Sequence, residues 1–424
     1  MRGFLSESMI KPLTRGPQAQ QVGCGSCGLF RGCRSPKIGI GGKGRAGILC
    51  LGEAPGEAGD AEGEAWTGEA GAFLEEKLRP YGIHLSRDCW CLEAVQCRPP
   101  KDRAPKASEI MACRPRVWQT IRELKPKLIL LFGATAVASF LGDRWRKDAL
   151  GGIPRWRGWT IPDREARAWA CPLLPPNEVL KQRKAKGGKL GVEAVFDRDL
   201  AQALGKLDEP FPYTDIFREE EFVRIIQNED ELNRHLVYLL CRFNEHPEDL
   251  LAIDLETTGL KPYRDGHRIV SCALAYGMDE VIAFPWPTGN PPQSRLRRLL
   301  GDPRVRNVAA NLPFEDRWLT HFGFPVEGWC WDTLLAAHVL DNRTGVTGLK
   351  FQTYVQFGVL GYDDDVGPWL RSGGEEEAQH GANAFNRIEE LWRKKPEELL
   401  RYNGMDALLE YRLARKQMVE VGKR

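Results

Sequence analysis

The sequence predicts an α/β protein built as two domains in tandem, and three observations carry that prediction. The chain has 424 residues, too many for one core of ordinary size. Short apolar runs that read as strands, Gly47–Leu51 and Lys127–Phe132, alternate with segments of helical spacing at Ala70–Leu78 and Ala134–Leu141, the pattern of a parallel, doubly wound sheet. Charge is divided unevenly: residues 1–200 hold 33 Lys+Arg against 22 Asp+Glu, or +11, and the remainder 27 against 36, or −9, summing to +2. A basic half suits a phosphate backbone. An acidic half suits the same partner if some of its acids bind metal, because the ions reverse the local sign.

The elements follow in order. Residues 1–22 lack periodicity and read as a tail, and Gly39–Gly44 reads as a turn. The first domain is expected over 23–204. Within it Lys181–Lys189 is basic and glycine-bearing, and is expected to form a loop. Residues 205–218, rich in Pro, Asp and Glu, read as the linker. The second domain, 219–424, is expected to open with a helix near Glu219–Glu245. Strands are predicted at Leu250–Asp254, Arg268–Ala275 and Glu280–Phe284. Helices are predicted at Gln293–Leu300, Phe314–Phe322, Thr333–Leu340, Phe385–Lys394 and Pro396–Val421. No internal repeat is visible. No apolar run approaches the roughly 18 residues of a membrane span. The first residues lack an apolar signal core, so a cytoplasmic location is expected.

Asp254 and Glu256 stand two residues apart at the end of an apolar strand, so both side chains leave the same face. Paired carboxylates are hard oxygen donors, suited to Mg²⁺ or Mn²⁺ and to two-metal phosphodiester hydrolysis. Tyr402 and Asp406 stand four apart in a helical segment and share a face. Around these residues the stretch Leu251-Ala-Ile-Asp-Leu-Glu-Thr-Thr-Gly-Leu260, then Asn311-Leu-Pro-Phe-Glu315, Trp331-Asp-Thr333 and Tyr402-Asn-Gly-Met-Asp406 resembles the motifs of the DEDD 3′→5′ proofreading exonuclease domain of family A DNA polymerases. The resemblance spans residues 220–424 and implies a ribonuclease-H-like fold with a mixed sheet. It further implies two Mg²⁺ or Mn²⁺ ions held by Asp254, Glu256, Glu315 and Asp406, substrate contact at Asn311, and a water held by Tyr402 that attacks the terminal phosphodiester. The family has Asp where this chain has Glu315, with Asp316 next to it; the spacing from Asn311 favours Glu315. The family also continues into a polymerase domain, whereas here the chain stops at Arg424. That implies a separate polymerase subunit or a free-standing nuclease, an arrangement that looks phage-like and would place the protein in a bacterial host cytoplasm.

Eight of the twelve cysteines lie within the first 113 residues. Without a secretory signal, that density points to metal or cluster ligation rather than disulfides. Cys24-x-x-Cys27 is half of a metal site, with Cys97 and Cys113 as the other half and Cys33 as a competitor. Four thiolates suit a [4Fe–4S] cluster or zinc. Cys50, Cys171, Cys241, Cys272 and Cys330 read as core residues. Gly52-Glu-Ala-Pro-Gly-Glu57, Gly63-Glu-Ala-Trp-Thr-Gly-Glu-Ala-Gly71, Gln96-Cys-Arg-Pro-Pro100 and Ala112-Cys-Arg-Pro115 resemble the family 4 uracil-DNA glycosylases, and Arg157-Gly-Trp159 resembles a strand motif there. This resemblance covers residues 20–200. It implies a three-layer α/β/α domain with a [4Fe–4S] cluster on Cys24, Cys27, Cys97 and Cys113. It places Trp66 where a ring stacks on uracil, and Glu53 at a motif acid able to position water. Two positions depart from the family: Glu93 stands where Asn pairs with the base edge, and Pro175 stands in the late His-Pro motif. An ionised carboxylate cannot donate, so Glu93 is expected to disfavour uracil and to suit the exocyclic amine of a base such as cytosine.

These readings together predict a two-metal 3′→5′ exonuclease acting on single-stranded or frayed DNA ends, in proofreading or repair, fused to a glycosylase-like iron–sulfur DNA-binding domain. The alternatives are an active uracil or other-base DNA glycosylase with an accessory exonuclease, and a non-catalytic DNA clamp of a split polymerase.

Overall fold

The computed structural model describes residues 24–145, 150–185, 190–213 and 219–422. The 1–22 tail, residues 186–189 of the basic Lys181–Lys189 segment and the end of the 205–218 stretch lie outside them. The chain divides into two compact units, residues 1–160 with 168–210, and residues 161–167 with 211–424.

In the first unit four parallel strands lie in the order Cys89–Glu93, Ile48–Gly52, Leu128–Phe132, Ala168–Leu173. These runs are apolar on both faces because helices cover both, as parallel sheets require. Ile48, Cys50, Cys89, Cys91, Leu128 and Leu130 pack with Phe73, Leu74, Phe196 and Leu200 in one core. Arg157-Gly-Trp159 is a turn, not a strand. Lys181–Lys184 form the last turn of the helix Pro176–Lys184 rather than a loop. There Arg183 pairs with Glu193 and Glu76, and Lys184 with Glu69, so these cations are engaged within the unit rather than held out for phosphates.

The second unit has a mixed six-stranded sheet in the order Trp329–Asp332, Arg306–Ala309, Leu250–Thr257, Ile269–Ala275, Val281–Pro285, Val223–Ile225. The long strand Leu250–Thr257 is central. It is antiparallel to Ile269–Ala275 and parallel to Arg306–Ala309. Its period-2 alternation sorts the layers. Leu251, Ile253 and Leu255 pack with Leu236, Leu239, Leu296 and Leu299 on one face. Leu250 and Ala252 pack with Met405, Leu408 and Leu409 of the last helix, Pro396–Gly422, on the other. Asp254 and Glu256 continue the second set, so they face the helix that carries Tyr402 and Asp406.

The helix expected from Glu219 starts at Glu229. Asn228 caps it, its side-chain oxygen accepting from the N–H groups of Asp230 and Glu231 at 2.8 and 3.1 Å, as an N-cap residue does. Ahead of it Val223–Ile225 pairs in parallel with Val281–Ala283 as an edge strand. Cys241 and Cys330, expected in the core, are exposed, whereas Cys50, Cys171 and Cys272 are buried.

Gly404 sets how closely the last helix lies on the sheet. A Cβ there would sit 2.3 Å from Val223 Cγ1 and 3.3 Å from the Ala283 Cβ. Alanine would add about 1 kcal/mol of helix propensity, but forcing a methyl into this contact costs about 1–3 kcal/mol, because valine has no flexible end to yield. Gly404→Ala is therefore expected to lower the unfolding midpoint of the second unit, despite alanine being the better helix former; denaturant unfolding followed by circular dichroism checks it.

Candidate functional sites

Asp254, Glu256 and Asp406 each offer an oxygen within 4.8 Å of the others. Strand parity supplies the first two. The helix supplies the third, along with Tyr402 and Asn403 on the same face. Asn403 Nδ2 donates to Asp254 twice, 2.6 Å to Oδ2 and 3.1 Å to the backbone oxygen. Asp406 Oδ1 accepts from the Tyr362 hydroxyl at 2.6 Å and pairs with Lys350 Nζ. Lys350 lies over the rings of Tyr362 and Tyr402, 3.9 and 4.4 Å from their centroids. Tyr402 itself is buried, and Tyr362 stacks at 6.1 Å from it.

Glu315, not Asp316, turns toward this centre. It is 3% exposed, and the charges of Asp254 and Glu256 reach it. Asp316 instead accepts from Trp329 Nε1 at 3.0 Å. Glu315 lies outside the tight group of three, whose members are Asp254, Glu256 and Asp406. Asn311 takes a left-handed turn, φ 66°, at the start of the helix Leu312–His321 and is exposed. Asp332 anchors this corner: its carboxylate accepts from the N–H groups of Asn311, Leu312, Leu334 and Leu335, capping two helices at once and fixing where Glu315 points.

Burial pushes these acids up, and mutual repulsion adds to it. Asp254 rises to about 8, first from desolvation and then from the Asp406 charge. Glu256 and Glu315 rise well above the usual carboxylate range for the same reasons. Burial likewise raises the Tyr402 hydroxyl. Lys350 is the one cation bonded to the acids of this centre among the described residues. An oxygen-rich, buried, negatively charged site of this kind fits hard divalent cations. Four residues escaped sequence reading: Lys350, Tyr362, Asn403 and Glu410. Asn403 and Glu410 carried a usable signal, because they share the helical face of Tyr402 and Asp406.

In the first unit Cys24, Cys27, Cys97 and Cys113 line one small cavity together with Phe30, Lys37 and Arg116. Cys33 does not line it but stands beside it; its thiol donates to the Leu29 oxygen at 3.3 Å and shares a hydrogen bond with the Cys97 thiol. The Lys37 N–H donates to Cys97 Sγ at 3.3 Å, and an N–H of Gln96 reaches Cys113. Burial pushes the Cys113 thiol up to about 11. Four convergent thiols with amide N–H groups aimed at the sulfurs fit a thiolate-bound cluster, in which such hydrogen bonds tune the potential.

Glu93 ends one strand and Glu53 directly follows the neighbouring one. Glu53 Oε1 accepts from the Thr135 N–H at 3.1 Å, at the start of the helix Ala134–Leu141, a favourable seat for a carboxylate. Gly133 makes room for it: a Cβ there would lie 2.5 Å from the Glu53 carboxyl carbon. Glu93 is 6% exposed, and its Oε2 has no partner among the described residues. Burial, then repulsion from Glu53, pushes it up to about 8, against the lowering effect of the Trp66 N–H that it accepts. Glu93 is thus mostly neutral at pH 7, and the expectation that it could not donate is corrected: a neutral carboxyl both donates and accepts. Trp66 is half-buried. Its indole N–H donates to the Leu92 oxygen at 3.3 Å, and its ring meets Phe132 edge-on at 4.9 Å. Pro175 precedes the helix Pro176–Lys184 and provides no side-chain donor.

Residues 38–197 match the model of the uracil DNA glycosylase superfamily, and residues 223–421 match that of a 3′-5′ exonuclease family. A type-4 uracil-DNA glycosylase of Pyrobaculum aerophilum is 32% identical over 187 residues, covering 43% of this chain and 88% of that protein. The type-4 enzyme of Saccharolobus solfataricus is 36% identical over 111 residues, 26% of this chain and 50% of that protein. The Thermotoga maritima enzyme is 38% identical over 94 residues, 22% and 48% respectively. A Trypanosoma brucei RNase D structure with GMP aligns with 46% of this chain and 57% of its own, at 16% identity and a TM-score of 0.33. With 88% of a type-4 enzyme's length matched in its first half and an exonuclease domain filling its second, this chain belongs to the uracil-DNA glycosylase superfamily, in the type-4 family, and carries a 3′-5′ exonuclease domain fused behind it.

Proposed function

We propose that this protein is a divalent-metal-dependent 3′→5′ DNA exonuclease serving proofreading or repair, whose first domain is an iron–sulfur, glycosylase-like module that binds DNA. The single observation that carries the reading is the convergence of Asp254, Glu256 and Asp406 on one point, beside Glu315 and Tyr402. DNA rather than RNA is favoured by the fused glycosylase-superfamily domain. A [4Fe–4S] cluster is supported by the four thiols around one cavity together with the family resemblance of their spacing. A separate polymerase subunit, a frayed 3′ end as substrate and a cytoplasmic location belong to the same proposal.

Asp254, Glu256 and Asp406, with Glu315, would hold the ions. When bound, divalent ions supply Lewis-acid stabilisation of the charge that develops on the phosphoryl group. The chain's own groups do the rest. Asn403 holds the Asp254 carboxylate in one orientation. Tyr362 and Lys350 hold Asp406. The Tyr402 hydroxyl, kept protonated by burial, can donate to and orient the water that attacks the terminal phosphodiester. The bond from phosphorus to the 3′ oxygen of the remaining strand breaks, that oxygen ends protonated as the water gives up its proton, and a nucleoside monophosphate is released.

A second reading, an active glycosylase, is favoured by Glu93. In its neutral form the carboxyl can donate to a uracil carbonyl and accept from the ring N–H, the pairing that an amide would make. Glu53 would position water.

Two outcomes test these readings on one end-labelled oligonucleotide carrying an internal uracil. With Mg²⁺ the labelled strand should shorten stepwise from its 3′ end; Asp254→Ala should slow this about 100-fold or more, and EDTA should abolish it. An Asp254→Ala protein that digests normally would sink the exonuclease reading. Alkali-labile breaks at the uracil, if formed in EDTA, should be most frequent below pH 8 and decline as the pH rises through about 8, where Glu93 ionises. Glu93→Gln should remove that decline. Absence of uracil-specific breaks at every pH would leave the first domain as a DNA-binding module.

A further inference from the structure

Tyr402, Asp406 and Glu410 recur at four-residue intervals on the last helix, so their side chains share one face. Glu410 is 1% exposed. The Ala310 N–H holds one part of its carboxyl, and it shares a hydrogen bond with Asp254. Its Oε2 has no partner among the described residues. The charged groups that reach it, Asp254, Glu315 and Asp406, are all acids. Glu315 shows the same pattern: buried, with a partnerless Oε2 and acidic neighbours.

Acids that this protein keeps for its fold look different. Asp332 is consumed by four backbone N–H groups. Asp199 takes Arg157 and Arg198. Glu109 takes Arg103 and the Lys106 N–H. A buried carboxyl oxygen left without donor or cation, among other acids, is costly for folding and has no packing reason. Hard divalent cations are the ligands that such oxygens accept. The charges agree: Asp254, Glu256, Glu315, Asp406 and Glu410 carry five negative charges when ionised and Lys350 one positive, leaving four, which two divalent cations balance.

We propose that Glu410 is a fifth carboxylate of the metal centre, acting with Glu315 and Asp254 to hold the second divalent ion, outside the tight Asp254–Glu256–Asp406 group. This rests on the exonuclease reading above. Placed four residues beyond the Tyr-x-x-x-Asp motif, Glu410 adds a donor where the motif has none and stands next to Glu315, the acid that departs from the family's aspartate.

The test is calorimetric titration of the full-length protein with Mn²⁺, together with its melting temperature in EDTA, for the wild type, Glu410→Gln and Asp254→Asn. The wild type should bind two Mn²⁺ that Asp254→Asn loses. Glu410→Gln should keep one and weaken the other about tenfold or more, with a metal-free melting temperature no lower than wild type, because an uncompensated buried acid has been removed. Two Mn²⁺ bound by Glu410→Gln with wild-type affinity would overturn the proposal while leaving the exonuclease reading intact. So would a lower melting temperature in EDTA without change in Mn²⁺ affinity, which marks a purely structural acid. A wild type that binds no Mn²⁺, or an Asp254→Asn protein that binds as wild type does, would overturn both.

Discussion

Mutual repulsion among buried carboxylates is the constraint around which the second unit is built. Asp254, Glu256, Glu315 and Glu410 are each raised first by burial and then by the charges of neighbouring acids, Asp406 among them, so without cations the centre works against folding. The surrounding structure holds it together by rigid means. Asp254 and Glu256 ride on a central strand paired on both sides. Asn403 clamps Asp254, and Asp332 pins the helix that presents Glu315. Gly404 lets the last helix approach the sheet closely enough for Asp406 to join them. Stability is given up at the point where the proposed ions would bind, as is usual where a site is preorganised for charge.

The first unit handles a carboxyl pair in a contrasting way. Glu53 accepts from the Thr135 N–H at a helix start, whereas Glu93, on the neighbouring strand, has an oxygen without a partner among the described residues and a raised pKa. Two acids on neighbouring strands thus sit in different surroundings, one bonded to a helix N–H and the other buried with a raised pKa. Four of the cysteines line one cavity, and Cys33 stands beside them, its thiol bonded to two backbone oxygens and to Cys97.

Much of this architecture was legible in the residues. Period-2 alternation in Leu250–Thr257 determines that Asp254 and Glu256 share a face, and period-3.6 spacing determines that Tyr402 and Asp406 do. The start of the helix at Glu229 was also encoded, in the Asn228 cap, but the acidic run ahead of it imitates a first helical turn. Edge strands such as Val223–Ile225 escape because three residues carry too little pattern to separate strand from helix.

Local periodicity thus determined the order of the elements and the faces that carry the acids, because these depend on residues a few positions apart, whereas the candidate cysteine set came from the family resemblance. Tertiary structure alone decided the rest. It gave Glu315 rather than Asp316 to the centre, bonded Lys350 and Tyr362 to Asp406, brought Glu410 beside Asp254, and made Glu93 neutral. Each of these depends on which side chains, distant in sequence, share one buried volume, since burial and the field of neighbouring charges, not residue identity, set the protonation of an acid and its need for a cation.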